Sequence, residues 1–125
     1  MKHFCVIGDP VEHSLSPRLH RRMIELTGLD ATYDLCPVRA QELERFVEQA
    51  RGGAWDGFNV TMPHKEAVVP YLDGLSGTAA RCRAVNTVCM EDDRAIGHNT
   101  DGLGFIESLR AHGFDPADKT ALIIG

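Results

Sequence analysis

Residues 3–38 read HFCVIGDPVEHSLSPRLHRRMIELTGLDATYDLCPV, and their order decides the fold class. His3 to Gly8 is a short, almost wholly apolar run ending in glycine, the pattern of a strand covered on both faces. Ser16-Pro17 then opens a helix, with Ser16 expected as the N-cap and Pro17 at the first helical position. Leu19, Met23 and Leu26 fall at i, i+4 and i+7 and form its apolar stripe, and Gly28 stops it. Residues 31–38 read as a second strand. Strand, helix and strand in this order make the repeating unit of an α/β domain.

The pattern continues outward. Leu43, Phe46, Val47 and Ala50 share one face of a second helix, ended by Gly52-Gly53. Gly57 to Thr61 is a third strand, closed by Pro63, and residues 64–83 suggest two short helices around Gly74 and Gly77. Ala84 to Met90 reads as a strand, with Arg94 to Gly97 returning as its hairpin partner across Glu91-Asp92-Asp93. Asn99-Thr100 caps a last helix whose Leu103, Ile106 and Leu109 are expected to face inward until Gly113. The sum is α/β: a mainly parallel sheet with helices on both faces.

Residues 1–117 are expected to form one domain. Residues 118–125 read as the first, buried strand of a second, dinucleotide-binding Rossmann unit, cut off at Gly125. Gly125 is the only cofactor-binding candidate, and the G-x-G-x-x-G turn and helix that grip a pyrophosphate would have to follow it.

Composition narrows the function classes. Apolar residues make up 43% and charged residues 25%, as in ordinary globular proteins, and 125 residues suffice for a packed core. The apolar runs are strand-sized, so neither a membrane span nor a signal-peptide core is expected, and a cytoplasmic location is the default. Net charge is −5 and the 13 Lys and Arg are scattered, which argues against a nucleic-acid partner. The four cysteines contain no C-x-x-C and read as free thiols. With six dispersed histidines, no metal site is expected.

In open α/β sheets ligands sit beyond the carboxyl ends of the strands, and four such loops carry unusual polar residues. In the first, Ser14 and Ser16 are two apart, so on extended backbone both hydroxyls point to one side, beside a helix N-terminus that favours an anion. They make a candidate carboxylate cradle, although Ser16 as a cap and Ser14 as a turn residue would explain the same pattern. In the second, Asn59 and Thr61 share one face of a strand end, where unpaired buried polar groups would cost about 1–3 kcal/mol each. Lys65 follows at a short helix start, an unfavourable place for a cation and a candidate for proton transfer. A solvated surface lysine is the plainer reading. In the third, Asn86 interrupts an apolar strand; in the fourth, Asp101 sits where a first-turn carboxylate would complement a helix dipole.

The segments GDPVEHSLSPRLH, FNVTMPHK, AVNTV and GHNTDG, in this order and spacing, resemble the shikimate dehydrogenase family, which includes the quinate dehydrogenases. The resemblance implies NADP-dependent reduction of 3-dehydroshikimate to shikimate, with this chain as the substrate-binding and catalytic domain. It implies that Ser14 and Ser16 hold the substrate carboxylate, that Asn59, Thr61 and Asn86 bind ring hydroxyls, and that Lys65 and Asp101 form the catalytic pair. NADP would be held by the second unit, and a homodimer is the expected assembly. Quinate or aminoshikimate dehydrogenase is the alternative within the class, and a non-catalytic binding module the alternative outside it. Two positions depart from the family pattern: Arg21 where Asn is usual, and Arg83 where Gly is common. The second puts the backbone beside Asn86 in question.

Overall fold

The apolar run at the start of the chain becomes β1 (Lys2–Gly8), with its last four residues buried. In this computed structural model, which describes residues 1–124, β1 lies between two parallel neighbours, β2 (Ala31–Pro37) and β3 (Gly57–Val60). The sheet continues through β5 (Thr87–Glu91) and β6 (Arg94–His98) to the two-residue β4 (Gly74–Leu75), giving the order β2-β1-β3-β5-β6-β4. Only β5 runs against the others, so the sheet is mixed but mainly parallel.

Because side chains alternate along a strand, β1 serves two cores. Cys5 and Ile7 meet Leu43, Phe46 and Val47 of α2 (Leu43–Gln49) on one face. Phe46 packs edge-on against Phe58 at 5.1 Å between ring centroids. On the other face Phe4 and Val6 join Val11, Tyr33 and Ile24, the last from α1 (Ser16–Thr27). Helices therefore cover both faces, as the α/β pattern predicts. Burying a large apolar side chain contributes about 1.5–3 kcal/mol, so the α2 cluster dominates stability.

Backbone punctuation follows the glycines where it must. Gly28 ends α1 at φ 65°, and Gly53, at φ 87°, turns the chain after α2. Gly8 instead permits a close approach. A β-carbon there would lie 2.6 Å from Thr61 Cγ2, so β1 ends in tight contact with the Thr61 loop.

Several expectations need correction. Ser16 is the first residue of α1 rather than its side-chain cap; Leu15 takes the N-cap position and no side chain caps the helix. Leu19, Met23 and Leu26 do not face the sheet and are 60%, 51% and 69% exposed. The adjoining stripe Pro17-His20-Ile24 packs inward instead, because His20 stacks on Tyr33. Residues 64–83 hold α3 (His64–Ala67) and α4 (Gly77–Cys82), but also β4, too short to show a period. β5 begins at Thr87, since Val85 and Asn86 donate their amides to Lys65 O and His98 O on the way in. In α5 (Asp101–Ala111) Ile106 and Leu109 are half-buried, whereas Leu103 and Phe105 are largely exposed. Residues 119–124 are exposed and form no strand: a strand needs a neighbour for its ladder, and none among the described residues pairs with them. Gly125 lies outside the described residues.

The cysteines are free thiols, Cys5 buried, Cys36 and Cys89 half-buried and Cys82 exposed. No helix among the described residues is long and apolar enough to cross a membrane.

Candidate active site

β1, β3 and β6 end, and β5 begins, at one edge of the sheet, and a cleft of about 760 Å³ opens beside it. Ser16 and His20 of α1 and Tyr33 of β2 line one side, and Asn59 and Thr61 lie along the end of β3. Lys65, Asn86, Thr100 and Asp101 line the other side. Six of the seven candidates taken from the four loops thus share one cleft.

Lys65 and Asp101 are 36 residues apart in sequence, yet Lys65 Nζ donates to Asp101 Oδ2 at 2.6 Å. Their side chains are 34% and 51% exposed, and pairs so open to solvent are typically worth only about 0–1 kcal/mol of stability. Folding alone gives little reason for this pair. Asp101 is held from behind: its own amide donates to Asn99 Oδ1 at 3.0 Å, and Asn99 Nδ2 donates to Ala84 O at 3.0 Å. Asn99, rather than Thr100, thus satisfies a free amide at the start of α5. Lys65 is fixed through its backbone, whose carbonyl accepts the Val85 amide at 2.7 Å.

Asn86 joins the pair to the sheet. Its Nδ2 donates to Asp101 Oδ1 at 2.9 Å and to Thr100 Oγ1 at 2.8 Å. Its Oδ1 accepts the Thr100 amide at 3.0 Å and the Thr87 hydroxyl at 3.2 Å. All four hydrogen-bonding positions of that amide are therefore engaged, and a ligand hydroxyl at Asn86 must replace one of them. Asn59 comes next: its Nδ2 donates to Asn86 O at 3.2 Å and Thr87 Oγ1 at 3.1 Å, and its Oδ1 accepts Tyr33 Oη at 2.6 Å. The result is one hydrogen-bonded chain from Tyr33 to Lys65 along the cleft.

The two serines part company. Ser16 lines the cleft, whereas Ser14 lines a separate depression with Arg18 and Arg21. The backbone between them is not extended; Leu15 is helical at φ −83°, ψ −6°, and Ser14 Oγ accepts the Ser16 amide at 3.2 Å. The extended geometry on which the paired cradle was expected is therefore absent at Leu15.

Sequence reading assigned no site role to His20, Tyr33 or Thr87, and read Asn99 and Thr100 only as a helix cap. His20 and Tyr33 stack with centroids 4.2 Å apart and planes 4° from parallel. Burial pushes the His20 imidazole below its usual range and the Tyr33 phenol well above its own; the nearby Ser16 hydroxyl pulls the phenol the other way. Alternation in β2 already marks Tyr33 as inward-facing, and Asn59 comes opposite Thr87 only once β3 and β5 are paired. Arg21, one of the two departures, reaches from α1 to Tyr33 O at 3.0 Å and ties the helix to β2. Arg83, the other, takes the left-handed position at φ 53° that ends α4, where glycine is strain-free.

Comparison with known proteins places the chain in a family. The family described as "Shikimate dehydrogenase substrate binding domain" matches residues 6–88. The chain is 44% identical over 125 residues to the shikimate dehydrogenase (NADP(+)) of Desulfitobacterium hafniense strain Y51, covering all of this chain and 46% of that protein. The crystal structure of shikimate 5-dehydrogenase from Thermus thermophilus in complex with shikimate superposes with a TM-score of 0.89 at 39% identity, over 95% of this chain and 46% of that one. The ligand-free 5-ketofructose reductase of Gluconobacter sp. strain CHM43 superposes with a TM-score of 0.84 at 35% identity, over 88% of this chain and 40% of that one. The chain spans about half the length of the relatives it matches. The chain belongs to the shikimate dehydrogenase substrate-binding domain family.

Proposed function

We propose that this chain is the substrate-binding and catalytic part of an NADP-dependent shikimate dehydrogenase that interconverts 3-dehydroshikimate and shikimate. The observation that carries the reading is the Lys65–Asp101 pair, fixed by Asn86 and Asn99 and open to a polar cleft at the strand ends. Fold alone would not suffice, since a reductase of 5-ketofructose shares it.

In the reduction, a substrate ketone oxygen lies within reach of Lys65 Nζ. The ammonium polarises the carbonyl and passes a proton to the oxygen while hydride reaches the carbon. In the reverse direction the pair takes the hydroxyl proton back. Asp101 keeps Lys65 in place and balances its charge, and Asn86 keeps Asp101 in place. Thr61 and Asn59 orient the ring, and Ser16, with Ser14 before it in the chain, is the candidate for the substrate carboxylate. A bound nicotinamide cofactor supplies the hydride. The described residues do not form a dinucleotide cradle: Gly102 and Gly104 lie inside α5 rather than at a strand-to-helix turn. We assign NADP to a second unit, for which the relatives' longer chains leave room, and take residues 1–117 as the first unit and 118–125 as the lead into the second. Four unpaired thiols support a cytoplasmic location. The exposed stripe of α1 and the open edge of β2 support a homodimer, which sedimentation analysis checks: a monomer mass rejects it.

The test is an assay of the full-length enzyme with shikimate and quinate, each with NADP⁺ and NAD⁺. Turnover of shikimate with NADP⁺ is the expected result. Turnover of quinate alone moves the substrate, and turnover of neither rejects the reading.

A further inference from the structure

The hydrogen bonds of Asn59 fix which way its amide points and what it still offers. Asn86 O is a backbone carbonyl and can only accept, so the Asn59 atom facing it at 3.2 Å is the NH₂. The second N–H goes to Thr87 Oγ1, which exhausts the donors. Tyr33 Oη, 2.6 Å from Oδ1, must then donate, and it takes one of two lone pairs. One acceptor position on Oδ1 is the sole uncommitted hydrogen-bonding capacity of that side chain. Tyr33 is itself 3% exposed and clamped by the parallel ring of His20, so its hydroxyl has little freedom to turn away.

We propose that Tyr33, held by His20, is a positioning residue that anchors Asn59 Oδ1, whose acceptor role Asn86 O and Thr87 set, so that the cleft selects a substrate hydroxyl donor at this point. The inference rests on the proposed function, since it concerns which hydroxyl of the same substrate is read. It assigns to the aromatic pair a part in specificity, acting through Asn59. A group that can only accept, such as a ketone or ether oxygen, finds no donor on Asn59, and its lone pairs face that of Oδ1.

The experiment uses the full-length enzyme with Tyr33→Phe, which keeps the ring and its stack and removes only the hydroxyl. The substrates are shikimate and the two analogues that each lack one of its non-reacting hydroxyls. Losing one such bond predicts a KM raised about three- to tenfold for shikimate and for the analogue that keeps the hydroxyl read by Asn59. KM for the analogue lacking that hydroxyl stays unchanged, and kcat stays within about twofold throughout. His20→Ala, which frees Tyr33 without touching Asn59, gives a smaller rise with the same analogue pattern and serves if melting curves show Tyr33→Phe unfolded. A KM that does not move, or that rises equally for all three compounds, overturns the inference while the function stands. An unmodified enzyme that neither binds nor turns over shikimate overturns the function, and this inference with it.

Discussion

Helices α1 and α2 carry similar apolar periodicity and meet opposite fates. Leu43, Phe46 and Val47 of α2 are 1%, 7% and 0% exposed, whereas Leu19, Met23 and Leu26 of α1 stay in solvent. α2 has an apolar surface beneath it, so its widest apolar face docks. α1 lies beside the cleft and turns Pro17, His20 and Ile24 to the sheet, giving up apolar burial to place a ring against Tyr33. A period of 3.6 shows that a helix has an apolar face; what covers that face is decided by the surface it meets. The polar occupant of the inward position marks the helix that serves the site.

The largest effect that tests this contrast is in the packing. Leu43→Ala should cost about 2–5 kcal/mol through the lost contacts and the cavity left behind. Leu19→Ser should stay within about 0.5 kcal/mol, as exposed positions do. Chemical denaturation of both variants measures the gap. A loss above about 1 kcal/mol at Leu19 would show its stripe covered, as in a homodimer.

Gly8→Ala sharpens the contrast at the sheet's end. Its β-carbon would meet Thr61 Cγ2 and Met62 O, and forcing them apart costs roughly 1–3 kcal/mol. Because Thr61 lines the cleft, substrate KM should rise with the loss of stability. A stability loss with unchanged KM would separate Thr61 from substrate binding.

Much of this was legible in the sequence, and the misses have common physical causes. The α2 face, the Gly28 and Gly53 stops, and the polar loops at 59–65, 86 and 99–101 were readable because each depends on local chemistry. The role of Tyr33 was not, since its partner Asn59 is 26 residues away and meets it only when β2 and β3 flank β1. β4 escaped because two residues show no alternation. The backbone around Ser14 was not legible, because a helical Leu15 breaks the extended geometry that alternation assumes.

Acid tests the α2 side through Asp73. The Ala95 amide, and after it Arg51 at 3.0 Å, hold its carboxyl below the usual range. A folded pKa below the unfolded one means stability that is full above the ordinary carboxylate value near about 3.9 and is lost as pH falls through the folded pKa. Asp73→Asn should therefore melt below the parent at neutral pH, with the gap closing in acid. A gap that persists below about pH 2 would assign it to geometry rather than charge.

The smallest effect expected is at Arg83. Its left-handed backbone suits glycine, so Arg83→Gly should add about 0.5–1 kcal/mol, or at least cost nothing. A clear loss in thermal melts would mean that the arginine side chain contributes more than its strained backbone costs.

On the proposed function, the half-exposed Lys65–Asp101 pair exists for chemistry rather than for folding. Steady-state kinetics and a melting curve of Lys65→Ala in the full-length enzyme test it together. The expected result is a fall in kcat of about 10²–10⁴ with a melting temperature close to the parent's. A fall below about tenfold, or a lost fold that explains the lost rate, would return Lys65 to the status of a solvated surface lysine.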